Sequence, residues 1–135
     1  MRFVDTSVLL YTVSTMRAEM DKRRTARDVL DGGDVALSVQ VLQEFYVQAT
    51  RPTRSDPLQH EQAVALIEAW CRFPVQDTTL GLVRAALDTS ARYRLSYWDA
   101  TIVEAARLAG CRVLLSEDLS DGQDFNGVRV ENPFA

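Results

Sequence analysis

Short apolar segments alternating with helix-length amphipathic stretches constrain this chain more than any other feature. Residues 2–5, Arg-Phe-Val-Asp, read as a strand ending on a charge. Residues 35–38, Val-Ala-Leu-Ser, read as a second buried strand, and Val75 sits in a third short one. Residues 112–115, Arg-Val-Leu-Leu, form a fourth, and residues 128–130 are expected to add a fifth, edge-like strand. Helices are expected over 19–31, stopped by Gly32-Gly33, and over 39–49, capped by Ser38. A third helix covers 58–72, with Ala63, Leu66, Ile67 and Trp70 at helical spacing. A fourth spans 79–92 with Leu80, Val83 and Leu87 on one face, and a fifth runs from Ser96 through Ala109 to Gly110. Residues 50–57 and 116–127 read as loops. This alternation predicts an α/β fold with a mostly parallel sheet covered on both faces. No repeat or linker divides the chain, so residues 1–135 are assigned to a single domain. In such sheets ligands bind beyond the carboxyl ends of the strands.

Several function classes drop out early. No apolar run approaches the roughly 20 residues of a membrane span. Asp5 interrupts the N-terminus before any apolar signal region can form, so a cytoplasmic location is expected. Cys71 and Cys111 form no CxxC pair and are expected to be free buried thiols. His60 is the sole histidine and sits in a polar helix, which leaves no Ser-His-Asp set. Gly-rich phosphate loops are absent. The net charge of −4 argues against a large non-specific nucleic-acid surface, although metal-binding carboxylates themselves contribute negative charge. Lys22 is the only lysine; the remaining cations are arginines, a bias that reflects genome composition or else suits bidentate phosphate contacts.

The acidic residues carry the chemistry. Asp5 ends the first strand, Glu44 lies in the second turn of the helix after the second strand, Asp99 is near the start of the last helix, and Asp118 follows the fourth strand. Each has an ordinary structural reading: a turn or cap for Asp5, a solvent-facing position for Glu44, the capping box Ser96-x-x-Asp99, and an acidic turn for Asp118. If the strands are parallel, all four map to one end of the sheet. Carboxylates gathered there repel one another. A hard divalent cation such as Mg²⁺ or Mn²⁺ would relieve that repulsion, and it could activate water for phosphodiester hydrolysis.

These residues also fall into a recognisable order. Phe3-Val4-Asp5-Thr6-Ser7-Val8-Leu9-Leu10 resembles the first motif of the PIN-domain nucleases. Glu44 in Leu42-Gln43-Glu44-Phe45-Tyr46 resembles their acidic helix position, and Ser96-Tyr97-Trp98-Asp99-Ala100 resembles the third motif. Leu115-Ser116-Glu117-Asp118-Leu119, with Gly122 and Asn132-Pro133-Phe134, resembles the fourth motif and tail of VapC-type bacterial toxins. The resemblance implies a three-layer α/β/α domain with a five-stranded sheet in the order 3-2-1-4-5. It implies an Mg²⁺- or Mn²⁺-dependent endoribonuclease acting on RNA, a small antitoxin partner and a homodimer. By position it makes Asp5, Asp99 and Asp118 the metal-side carboxylates, with Glu44 completing the catalytic cluster. Thr6 and Ser116 would then orient ligands or water. A catalytically silent interaction module and a small-molecule phosphatase are the alternatives.

Overall fold

The computed structural model describes residues 1–135. The chain runs β1 (Arg2–Val4), α1 (Thr6–Thr12), a 3₁₀ turn (Arg17–Glu19), α2 (Met20–Asp31), β2 (Val35–Ser38), α3 (Val39–Ala49) and α4 (His60–Trp70). It continues through β3 (Val75–Gln76), α5 (Leu80–Tyr93), α6 (Tyr97–Leu108), β4 (Val113–Leu115), β5 (Asp124–Phe125) and β6 (Val128–Glu131). The strands form one sheet in the order β3-β2-β1-β4-β6-β5, parallel except for the β5–β6 pair. No helix is long and apolar enough to cross a membrane.

The topology follows from connection handedness. The chain steps from β1 to β2 to β3 in one direction, then returns past β1 to β4. Right-handed crossovers therefore place α1–α4 on one face and α5–α6 on the other. Consistently, α1 touches α2 and α3, whereas α6 lies against α5 and four of the strands. The direction reverses between β1 and β4, and that reversal point is where α/β sheets open a crevice. Phe3, Leu37, Leu114 and Phe45 are fully buried in the core on either side of the sheet.

Three expectations need correction. The strand at 128–130 is not an edge: β5 emerges from the expected 116–127 loop and covers it. The signal was Asn126-Gly127, whose positive φ values of 53° and 100° suit the tight turn of a two-residue hairpin. The buried face of α5 is also rotated from the expected one. Leu80 and Leu87 are exposed, while Leu82, Ala86 and Thr89 face inward. The cause is Glu104 of α6, only 4% exposed, which accepts a 2.9 Å hydrogen bond from the Thr89 hydroxyl. Finally, Cys111 is buried as expected but Cys71 is exposed, because it lies at the C-terminal cap of α4.

Glu104 is tolerated inside because Arg107 Nε pairs with it at 2.9 Å. The same guanidinium donates to the Phe125 and Asn126 carbonyls at 2.7 and 2.8 Å, tying α6 to the β5–β6 hairpin. Removing one partner of such a pair leaves an uncompensated buried charge, at a cost of roughly 3 kcal/mol. Arg107→Ala is therefore expected to lower the thermal midpoint by roughly 10 °C. An unchanged melting curve by circular dichroism would contradict this.

Candidate functional site

Strand register positions the first carboxylate. Val4 pairs with Leu115, so the next residues along, Asp5 and Ser116, emerge side by side at the carboxyl ends of β1 and β4. The Asp5 amide still donates to the Leu115 carbonyl (3.0 Å), then the chain turns into α1. Asp5 caps that helix by accepting from the Thr6 amide at Oδ1 (2.7 Å). The Ser116 hydroxyl donates to Oδ2 (2.7 Å). Asp5 thus caps α1 through one oxygen and accepts from Ser116 through the other. The Ser116 Oγ also accepts from the Asp118 amide (3.1 Å), so one hydroxyl holds both acidic segments.

The other acids arrive on helices. Ser38 caps α3 through the Val41 amide (3.2 Å), and Glu44 follows in the second turn. Its carboxylate accepts from the Thr6 hydroxyl (2.6 Å) and from Gln40 Nε2 (2.9 Å). Ser96 caps α6 by accepting from the Asp99 amide (3.1 Å). No bond returns from the Asp99 carboxylate to complete a capping box; Asp99 lines the cavity instead.

Asp5, Glu44, Asp99 and Asp118 all line one cavity of about 310 Å³, together with Thr6. Ser116 is fully buried behind Asp5. Residues outside the expected set join them: Glu19, Gln48, Arg54, Trp98 and Glu117. Glu19 comes from the 3₁₀ turn, for which the sequence carried no clear signal. Glu117 is held at the rim by Tyr11 Oη (2.9 Å) and by Lys22 Nζ (3.1 Å). One cation joins the acids: Arg54 reaches the cavity from the loop between α3 and α4. Phe45, next to Glu44 in the chain, faces the core, fully buried against Trp70.

The electrostatics record the crowding. Asp5 is 7% exposed, and burial raises its pKa to about 6 despite the Ser116 and Thr6 hydrogen bonds; Asp118 and Glu44 push it further. Asp118 is also raised, first by burial and then by Glu117, Asp99 and Glu44. Such a field favours a cation. The donors are all oxygens, which suits a hard ion. The buried Ser7 Oγ, in a residue lining the same cavity, has no hydrogen-bond partner. As the side chains stand, no three His, Cys, Asp or Glu residues converge tightly enough to hold an ion. That still fits Mg²⁺, which keeps several waters and needs only one or two direct carboxylates.

A family model for the PIN domain matches residues 2–120. The chain belongs to the PIN domain family. None of the curated proteins matches it significantly in sequence. Solved structures share the PIN fold. The Mycobacterium tuberculosis toxin VapC20, described as cleaving the sarcin-ricin loop, superposes with a TM-score of 0.68 at 24% identity, over 87% of this chain and 92% of its own. A chain of a toxin–antitoxin complex from Klebsiella pneumoniae gives 0.70 at 20% identity, over 98% of both chains. A chain of DNA-bound VapBC from Salmonella typhimurium gives 0.69 at 20% identity, over 98% of this chain and 97% of its own. The PIN fold here has the expected strand order with one hairpin strand added at the edge.

Proposed function

We propose that this PIN domain is a divalent-metal-dependent endoribonuclease, the toxin of a type II toxin–antitoxin pair acting in the cytoplasm. The observation carrying the proposal is that four carboxylates from separate segments line one cavity at the switch point of the sheet. Asp5, Asp99 and Asp118 would hold Mg²⁺ or Mn²⁺. When bound, the ion supplies an activated water and offsets charge on the phosphoryl group. Ser116 fixes the direction of the Asp5 carboxylate through its 2.7 Å bond. Thr6 and Gln40 hold the Glu44 carboxylate, which would take a proton from the attacking water.

The acidic cavity and the likeness to the VapBC structures support an antitoxin partner for this reading. A small antitoxin bearing an arginine or lysine would complement the acids. Its apolar portion has Leu10 and Tyr11 on the cavity wall, and Tyr46, Leu42 and Ile67 along a neighbouring apolar groove. A second copy of the chain would complete a homodimer.

The test in cells is induced expression with growth and RNA integrity followed. Wild type is expected to arrest growth and fragment RNA, and Asp5→Asn to restore both. Equal growth with intact RNA in the two strains would contradict the proposal. A second reading, a catalytically silent interaction module, draws on the lack of a preassembled ligand trio. It predicts no heat of Mn²⁺ binding in calorimetry.

A further inference from the structure

A second depression adjoins the acidic cavity and shares Glu44, Gln48 and Trp98 with it. Its volume is about 480 Å³. Its other lining residues include Gln40, Gln43 and Arg51. The two therefore adjoin as neighbouring stretches of one trough-like surface, the first acidic and the second lined by amides, Arg51, Trp98 and the exposed Val47.

Trp98 is out of place for a folding role. It is 65% exposed, whereas the other tryptophan, Trp70, is 5% exposed in the core. Yet its backbone is tied down. It sits in the first turn of α6, with its ring edge-on to Tyr97 at 5.1 Å. Its carbonyl lies 2.6 Å from the Thr101 hydroxyl and 3.4 Å from Gln40 Nε2. The Gln40 side chain also bonds Glu44 and lies 2.6 Å from the Thr101 hydroxyl. The same glutamine that orients a site carboxylate thus anchors the turn bearing the exposed indole. A large flat ring held in water beside a cleft is the surface on which an unpaired base stacks.

The arginines complete the chemistry. Neither Arg51 nor Arg54 takes part in any of the salt bridges, and neither side chain donates a hydrogen bond within the protein. Arg54 is half-buried at the acidic cavity without a carboxylate partner in salt-bridge range, and Arg51 lines the adjoining depression. Free guanidinium groups flanking an exposed indole suit the alternating phosphates and bases of a single strand.

We infer that this trough is a nucleotide subsite: Trp98 stacks an unpaired base next to the scissile bond, and Arg51 and Arg54 bind the flanking phosphates. The inference rests on the nuclease reading, and it selects unpaired RNA, since a paired base cannot present its face to the indole. The single-stranded preference comes from the ring and the path from the two arginines.

The test uses an octamer of single-stranded RNA, oligouridylate, and the full-length protein in EDTA, where no metal-dependent cutting occurs. Trp98 emission is expected to quench on binding, with the buried Trp70 as internal reference. Trp98→Ala is expected to weaken binding roughly 10- to 100-fold, with Trp98→Phe recovering much of it. Arg51→Ala is expected to lower the slope of log affinity against log salt by about 0.7, the release from one phosphate of a single strand. All variants should keep the wild-type melting curve, because these side chains are exposed or unpaired. Arg54→Ala should weaken RNA binding while leaving Mn²⁺ affinity equal or tighter, since it removes a positive charge from the cation's cavity. Unquenched emission, or RNA affinity unchanged in Trp98→Ala and Arg51→Ala, would overturn the subsite and leave the trough to a protein partner. Quenching by RNA in a wild type that fails to cut with Mg²⁺ would uphold the subsite and reject the nuclease reading instead.

Discussion

Asp5→Asn is expected to lower Mg²⁺-dependent RNA cleavage at least 100-fold, an effect of the size seen when a group stabilising transition-state charge is removed, and to raise the thermal midpoint of the metal-free protein. The two effects have one cause. Asp5 sits almost out of water, and burial lifts its pKa from 3.8 to about 6. The folded state therefore binds the proton more tightly than the unfolded chain. Stability contributed by this group falls as pH rises from about 4 to about 6, and the loss stays in full above that. At neutral pH the penalty is on the order of 2–3 kcal/mol. Asparagine removes the charge but keeps an oxygen for the Thr6 amide and an amide to donate to Ser116 Oγ. The midpoint should rise by roughly 5–10 °C in EDTA at pH 7.5. A variant that is inactive and also less stable would mean that Asp5 serves folding alone.

Mn²⁺ is expected to stabilise the wild type strongly above about pH 6 and hardly at all near pH 4.5, where the raised Asp5 is protonated. A ligand present at one hundred times its dissociation constant adds about 2.7 kcal/mol. That corresponds to a rise in midpoint of roughly 10 °C. Asp118, raised first by burial and then by Glu117, Asp99 and Glu44, acts in the same direction. In the absence of metal the pH trend runs the other way, because burial of ionised Asp5 destabilises the protein as pH rises. The sign of the pH effect should therefore invert between EDTA and Mn²⁺. Asp5→Asn and Asp99→Asn should each remove most of the metal shift. Parallel pH profiles with and without Mn²⁺ would contradict the site.

The strand pattern was legible because parallel strands buried on both faces read as apolar runs, as at Val35–Leu37 and Val113–Leu115. Site legibility followed from topology: once β1 and β4 are neighbours, Asp5 and Ser116 must emerge together. Glu44 and Asp99 were placed by the caps Ser38 and Ser96, which fix where each helix starts. What the sequence concealed depends on long-range partners. The rotation of α5 is set by Glu104 and Thr89, fifteen residues apart, whose bond no periodicity announces. The arrival of Arg54 in the cavity depends on the path of the loop after α3, where Thr53, Arg54 and Ser55 offer no pattern that fixes direction. Asn126-Gly127 was different: the hairpin signal was present, but the flanking Asp124-Phe125 strand is too short for alternation to reveal it.

The central claim is tested most directly by incubating purified protein with a structured RNA in Mg²⁺, Mn²⁺ or EDTA, and identifying the chemistry of the new ends. Hydrolysis at this carboxylate cavity predicts cutting only with divalent metal, loss of cutting in Asp5→Asn and Asp99→Asn, and products with 5′-phosphate and 3′-hydroxyl ends. Cutting that persists in EDTA and leaves a 2′,3′-cyclic phosphate would contradict it, because the RNA hydroxyl would then be the nucleophile and the carboxylates would not be holding a metal.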